Sequence, residues 1–322
     1  MNVLLTSIGR RVSLARAFRE EIAAYAPGGR LLGADVSRLS AGFHDADAGF
    51  LVPRCTEADY IPQLLDIVHR ERVKIVVPLI DTELGILSRH REAFLREGCH
   101  VIVSDIEPVL VTRDKARSAQ RFRELGFDAP RPIAAEELRD PGSLRYPLFL
   151  KPTDGSSSIG AIRIDDPAEL RYQMARMESP VVQSFEEGDE FTIDVFCDLG
   201  GTARCAVPRK RLEVRAGEVS KGLTVKDRAM MWAASRLATA LGGCRGCVTL
   251  QCFRQADGRF VFFEANLRFG GGYPLSHAAG ANFPGWILRM VAGEEIATFE
   301  DWEDHLLMLR FDDAVFVRSW LE

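Results

Sequence analysis

The chain has 322 residues, 47% hydrophobic and 27% charged, with a formal net charge of −5. That length allows two or three domains around a sizeable core, and the slight acidity excludes the basic footprint of a nucleic-acid binder. No apolar run approaches a membrane span, and Met1-Asn2 leads into a short apolar run without the pattern of a signal peptide, so a cytoplasmic protein with neither nucleic-acid nor membrane partners is expected.

Residues 2–7 read as a short buried strand, Gly9-Arg10-Arg11 as a turn, and residues 12–25 as a helix by apolar spacing. Strands are expected at 31–36, 49–52, 74–79 and 100–104, with helices at 60–70 and 84–97. This alternation argues for an open parallel sheet, whose ligands bind beyond the carboxyl ends of strands. Ser7, Arg10, Asp35, Asp81 and Glu83 fall there; helix capping and turn chemistry account for them as well as substrate contact does. The first turn reads T-S-I-G-R-R rather than G-x-G-x-x-G, which argues against a dinucleotide site and a dehydrogenase.

A helix is expected from Thr112 to about Leu125, followed by a linker marked by Gly126, Pro130 and Pro132. Residues 147–151 form a strand, 154–160 (DGSSSIG) a small polar loop, and 161–164 a second strand. Strand, glycine-serine loop and strand read as a mobile flap whose N–H groups can wrap phosphates, with Lys151 at its base as a point charge. A helix over 167–177 precedes V-V-Q-S-F-E-E-G-D-E, where a strand gives way to an extended segment, a glycine turn and Glu190. Extended backbone there can bond an adenine edge and the carboxylate can take ribose hydroxyls; an ordinary strand-turn-strand fits equally. Strands over 191–198 and 202–214 carry Arg209-Lys210-Arg211. Helices are expected at 227–241 and 284–291, and a closing strand at 306–316. The seven cysteines, including Cys244-x-x-Cys247, lack the spacing of a zinc site and read as buried small side chains.

The most informative stretch is residues 248–272, VTLQCFRQADGRFVFFEANLRFGGG. Two period-two runs flank Asp257-Gly258, a strong hairpin signal. Alternation puts Glu264, Asn266 and Arg268 on one face, to which Gln251 of the partner strand can also point. Hard cations take such oxygen ligands, Arg268 can clamp a phosphate, and Gly270-Gly271-Gly272 lets backbone approach a ligand closely.

Taken in order, Lys115, Lys151, DGSSSIG, VVQSFEEGDE, Gln251 and EANLRFGGG resemble the ATP-grasp superfamily, most of all the carbamoyl-phosphate synthase large-subunit branch and its short stand-alone relatives. The resemblance implies an α/β protein with an α+β C-terminal part: a Rossmann-like pre-ATP-grasp domain over 1–112, a linker helix and lid over 113–182, and a C-terminal mixed-sheet domain over 183–322. It implies ATP contacts from Lys115 and Lys151, a lid loop containing Gly155, Ser156, Ser157, Ser158 and Gly160, an adenine hinge of Gln183, Ser184, Phe185 and Glu186, and ribose binding by Glu190. Mg²⁺, with Mn²⁺ as a substitute, would fall to Gln251, Glu264 and Asn266, and the transferring phosphoryl group to Arg268. The family's E-x-N-P-R has Leu267 in place of proline here. A single ATP-grasp unit argues against the complete two-phosphorylation carbamoyl-phosphate reaction.

The expected activity is an ATP-dependent carboxylate–amine ligase working through an acyl phosphate. Lys151 and Arg268 would neutralise phosphate charge, and Arg209 or Arg211 would hold the substrate carboxylate. Arg10, Asp81, Glu83 and Gly271 are candidate substrate contacts, with an ammonium on Asp81 or Glu83 making amino acids the leading class. The expected partners are small carboxylates and amines, and a homodimer is compatible with this reading. The alternative is a nucleotide-binding regulatory protein without turnover.

Overall fold

The computed structural model describes residues 1–152, 161–215 and 217–318. The N-terminal part follows strand-helix alternation: β1 (Asn2–Thr6), α1 (Val12–Tyr25), β2 (Leu31–Asp35), α2 (Ala41–Asp45), β3 (Ala48–Leu51), α3 (Tyr60–Arg70), β4 (Val73–Pro78), α4 (Asp81–Arg96), β5 (His100–Val101) and α5 (Ile106–Arg113). Its strands pair in the order β3-β2-β1-β4-β5, all parallel. β1 and β4 lie at the centre and are apolar nearly throughout, as a sheet covered on both faces requires.

The helix expected from Thr112 to Leu125 is broken. Asp114 leaves helical geometry (φ −100°, ψ 113°), and its carboxylate accepts from the backbone N–H of Ala116 (2.9 Å) and Arg117 (3.0 Å), starting α6 (Lys115–Glu124) afresh. An aspartate N-cap is the physical reason for the new start.

A small sheet follows, made of β6 (Leu148–Pro152), β7 (Ile162–Ile164) and β8 (Pro180–Ser184), with α7 (Pro167–Met174) across it. Its core is its own: Ile133, Leu148, Leu150, Ile164, Leu170 and Val182.

The third part contains β9 (Asp189–Cys197), β10 (Ala203–Arg215), β11 (Glu218–Thr224), α8 (Arg228–Leu241), β12 (Gly246–Arg254), β13 (Phe260–Asn266), α9 (Tyr273–Ala278), α10 (Phe283–Val291) and β14 (Leu307–Leu309). The sheet order is β13-β12-β9-β10-β11-β14. Every pairing is antiparallel, so the mixed sheet expected from the resemblance is corrected: β9, β10 and β11 follow one another across the sheet, β12 and β13 form a hairpin, and β12 runs against β9 and β14 against β11. The expected closing strand shrinks to three residues, and Phe311 and Phe316 beyond it are exposed.

The five-stranded and six-stranded sheets share one continuous hydrophobic core, while the three-stranded sheet keeps a separate one. Cys99, Cys197, Cys205, Cys244, Cys247 and Cys252 are buried. Burial pushes the Cys99, Cys244 and Cys252 thiols up to about 12, which makes them inert packing groups. Among the described residues no helix is long and apolar enough to cross a membrane.

Candidate active site

The β12–β13 hairpin sets the site. Its register places Gln251 directly opposite Glu264 and Thr249 opposite Asn266, so these groups share a face. Asn266 Nδ2 donates to Glu264 Oε1 at 2.9 Å, which leaves the amide oxygen as the outward end of Asn266. Leu267, where the family has proline, is buried, and Arg268 emerges on the polar side. Thr249 Oγ1 donates to the Arg268 carbonyl at 2.9 Å and ties the chain down as it leaves the strand.

Arg268 reaches the N-terminal sheet. Its Nε and Nη2 donate to Asp81 Oδ2 at 3.0 and 2.6 Å, and Nη2 lies 3.4 Å from Asn266 Oδ1. At the other end of the line, Arg211 Nη1 donates to Glu190 Oε1 at 2.6 Å and to Gln251 Oε1 at 3.1 Å. A polar line thus runs Glu190, Arg211, Gln251, Glu264, Asn266, Arg268, Asp81, across β9, β10, β12 and β13 to the start of α4. Burial, with Glu264 close by, pushes the Glu190 carboxyl up, and Arg211 opposes that shift.

Lys151 on β6 is buried, and Lys115 and Glu264 lie within electrostatic reach. Burial first, and then Lys115, lower its amine to about 8, with Glu264 pulling the other way. The consequence for stability has a definite sign. Between about 8 and the ordinary 10.5 the unfolded chain holds this proton more tightly than the folded one, so stability rises with pH across that window and the full penalty applies below it. Wild type should therefore gain on Lys151→Met between these pH values, by at most about 3 kcal/mol at ~1.4 kcal/mol per pKa unit. Urea midpoints of both proteins across the window measure this; parallel curves would contradict it.

The hinge segment is held by its own side chains. Gln183 is buried in β8 opposite Phe149. Ser184 exchanges backbone and side-chain bonds with Arg131 and donates from Oγ to Glu186 Oε1 at 2.6 Å, while Gln255 donates to Glu186 Oε2 at 2.8 Å. The Phe185 ring lies 4.8 Å below the Arg163 guanidinium. The expected lid residues Gly155, Ser156, Ser157, Ser158 and Gly160 lie outside the described residues.

Three expectations need correction. Arg209 does not face a substrate: it is 1% exposed and gives Nε and Nη2 to Asp194 at 2.8 and 3.0 Å, a pair sealed within the sheet. Glu83 is fully buried and accepts from Ser7 Oγ (3.0 Å), Tyr60 OH (2.6 Å) and the N–H groups of Leu79 (2.9 Å) and Ile80 (3.3 Å). It is the inner cap of α4, and it holds Ser7, whose φ of +50° is costly for a non-glycine residue, in the turn after β1. Arg10 points outward, with its side chain 88% exposed and 3.8 Å from Glu218. The inward member of that pair is Arg11, whose signal in the sequence is a tandem arginine beyond a central strand. Gly271 lies where a Cβ would stand 3.0 Å from Arg11 Nη1 and from the Glu218 carboxyl, so only glycine fits without displacement.

Two family models match the chain. One, the PylC-like N-terminal domain, covers residues 3–102, and the other, ATP-grasp in the biosynthetic pathway with Ter operon, covers residues 176–313. The D-alanine–D-alanine ligase of Alcanivorax borkumensis is 26% identical over 166 residues, 48% of this chain and 53% of the relative. D-alanine–D-alanine ligase B of Pseudomonas putida is 28% identical over 214 residues, 58% and 65% of the two chains. The 3-methyl-D-ornithine–L-lysine ligase of Methanosarcina acetivorans is 34% identical over 112 residues, 35% and 26%. The chain spans less than two thirds of the length of each. Among solved structures, the biotin carboxylase domain of Hydrogenobacter thermophilus 2-oxoglutarate carboxylase, a complex with magnesium ADP and bicarbonate, superposes with TM-score 0.75 at 15% identity, covering 95% of this chain and 73% of that one. An L-amino acid ligase from Bacillus licheniformis gives 0.68 at 18%, covering 90% and 74%.

Sheet order, hairpin and these superpositions give the chain the ATP-grasp fold, and residues 176–313 match an ATP-grasp model. Its curated relatives named above are ligases. The narrower likeness to the carbamoyl-phosphate synthase branch rests on the Gln251-Glu264-Asn266 order, for none of those relatives is such a synthase.

Proposed function

We propose that the protein is an ATP-dependent carboxylate–amine ligase that forms an acyl phosphate, with an amino acid or another small carboxylate as substrate. The observation that carries this reading is the polar line from Glu190 to Asp81, with the lowered amine of Lys151 beside Glu264. A substrate carboxylate oxygen attacks the γ-phosphorus of ATP, the bond to the β,γ-bridging oxygen breaks, and ADP leaves. The amine nitrogen then attacks the acyl carbon, phosphate departs, and the surplus amine proton passes to solvent. Such chemistry is mainly positioning and charge stabilisation. Lys151 and Arg268 are the cations for the phosphoryl oxygens. Glu264, Asn266 and Gln251 suit a hard cation in donor type, one carboxylate and two amide oxygens. Mg²⁺, or Mn²⁺ in its place, would be held by those three and would neutralise phosphate charge.

The test is a screen of amino acids and small carboxylates with Mg²⁺-ATP, reading ADP release, with hydroxylamine as the amine. Hydroxamate formed together with ADP is the expected result. ATP binding without ADP release for any carboxylate would instead mark a nucleotide-binding regulatory protein.

Glu190 cannot be assigned to ribose alone, because Arg211 shares it with Gln251. Glu190→Gln should raise the KM for ATP about tenfold or more, the worth of a charge-assisted hydrogen bond, and should also shift the Mg²⁺ dependence. Initial rates over a grid of ATP and Mg²⁺ concentrations separate the two effects; an unchanged Mg²⁺ dependence would break the proposed sharing.

A further inference from the structure

Arg11 occupies the turn between β1 and α1, at the junction of the two large sheets. Its guanidinium is partly withdrawn from solvent, its pKa lowered first by burial and then by Arg268, with Arg310 adding to the effect and Glu218 and Asp81 opposing it. Among the described residues that guanidinium donates no hydrogen bond and joins no ion pair. The nearby carboxylates are already engaged. Asp81 takes two bonds from Arg268, and Glu218 takes Arg310 Nη1 at 2.9 Å with Arg10 Nη2 at 3.8 Å. Four arginines, 10, 11, 268 and 310, thus share two carboxylates, an excess of two positive charges.

The place of that excess is specific. A Cβ on Gly271 would stand 3.0 Å from Arg11 Nη1, so the guanidinium lies against the glycine loop that follows Arg268. A partly desolvated cation without a partner is costly, and an incoming anion removes the cost. Arginine offers such an anion two parallel N–H donors.

We propose that Arg11, backed by Arg310, anchors a second anionic group of the substrate, remote from the carboxylate that reacts. The substrate class is then dianionic: an acidic amino acid, a dicarboxylate or a phosphorylated amino acid. The neighbourhood of Arg268 links this subsite to the ligase reading, but anion binding at Arg11 does not depend on turnover.

The full-length protein is titrated calorimetrically with L-glutamate, succinate and O-phospho-L-serine, and with L-glutamine and L-alanine as neutral counterparts. Glutamate or phosphoserine should bind at least about tenfold more tightly than glutamine, as one charge-assisted bidentate contact provides. That preference should vanish in Arg11→Gln and survive in part in Arg11→Lys. Melting curves establish that the variants fold; if Arg11→Gln does not, Arg310→Gln, at an exposed side chain, should reduce the same preference. A phosphoserine preference over glutamate identifies phosphate as the anion, and the reverse identifies carboxylate. Equal affinity for glutamate and glutamine, binding of none of the anions, or a preference unchanged in Arg11→Gln would overturn the proposal. Selective anion binding without ADP release would leave this site standing and remove the ligase reading instead.

Discussion

Glu264→Ala is expected to reduce metal-dependent ADP release by about a thousandfold while the protein stays folded. The carboxylate is the one formal charge in the proposed metal set. Lewis-acid stabilisation of a phosphoryl group amounts to several kcal/mol, and each ~1.4 kcal/mol is tenfold in rate. Folding should hardly notice. The side chain is half-buried, among the described residues it receives one bond, from Asn266, and its removal relieves repulsion with Glu190. A second readout is independent of turnover: Glu264 raises the Lys151 amine, so its loss should move that group below its already lowered value of about 8. ADP release at saturating Mg²⁺, together with a thermal melt, measures the first effect. Near-normal turnover in a folded variant would end the assignment.

Arg209→Met should destabilise the protein by about 3–5 kcal/mol, the cost of leaving a buried charge uncompensated. Asp194 is fully buried, and without Arg209 it keeps, among the described residues, Ser276 Oγ at 2.6 Å and the weaker Thr249 Oγ1 at 3.4 Å. Converting the partner as well, in Arg209→Met with Asp194→Leu, should recover most of the loss, since an apolar pair of similar volume has no desolvation penalty. Urea unfolding of the single and double variants measures both steps. A loss under about 1 kcal/mol in the single variant would mean that water reaches the pair. Gly272 packs on Arg209 and Val219, so the same single variant should loosen the glycine loop beside Arg11.

Local patterns were legible where one periodicity dominated. The 248–272 hairpin followed from alternation on either side of Asp257-Gly258, and its register brought Gln251 and Glu264 together as the face argument required. The parallel sheet followed from apolar strands alternating with amphipathic helices. Pairings distant along the chain were not legible. Nothing local distinguishes Arg209, sealed against Asp194, from Arg211, two residues on and 11% exposed, because strand alternation places them on the same face and only depth in the sheet separates them. Glu83 and Asp81 read alike as strand-end carboxylates; one turned inward as a cap and the other outward to Arg268. Arg10 and Arg11 were likewise inseparable until the turn after β1 fixed which one lay near Arg268. The C-terminal strand was overestimated because β11 offers it an edge over only three residues.

Arg211 has one further consequence. It holds Glu190 and Gln251 with the two hydrogens of one Nη1, so the groups proposed for ribose and for metal begin tied to a single guanidinium. A cation arriving alone at Gln251 meets a guanidinium already there, and a sugar arriving alone must draw Glu190 away from it. When both arrive together, a single displacement of Arg211 serves two ligands. By thermodynamic reciprocity each then strengthens the other to the same degree. Kinetically, the preformed metal–nucleotide complex becomes the preferred visitor, and uncomplexed nucleotide in excess acts as a competitor of it.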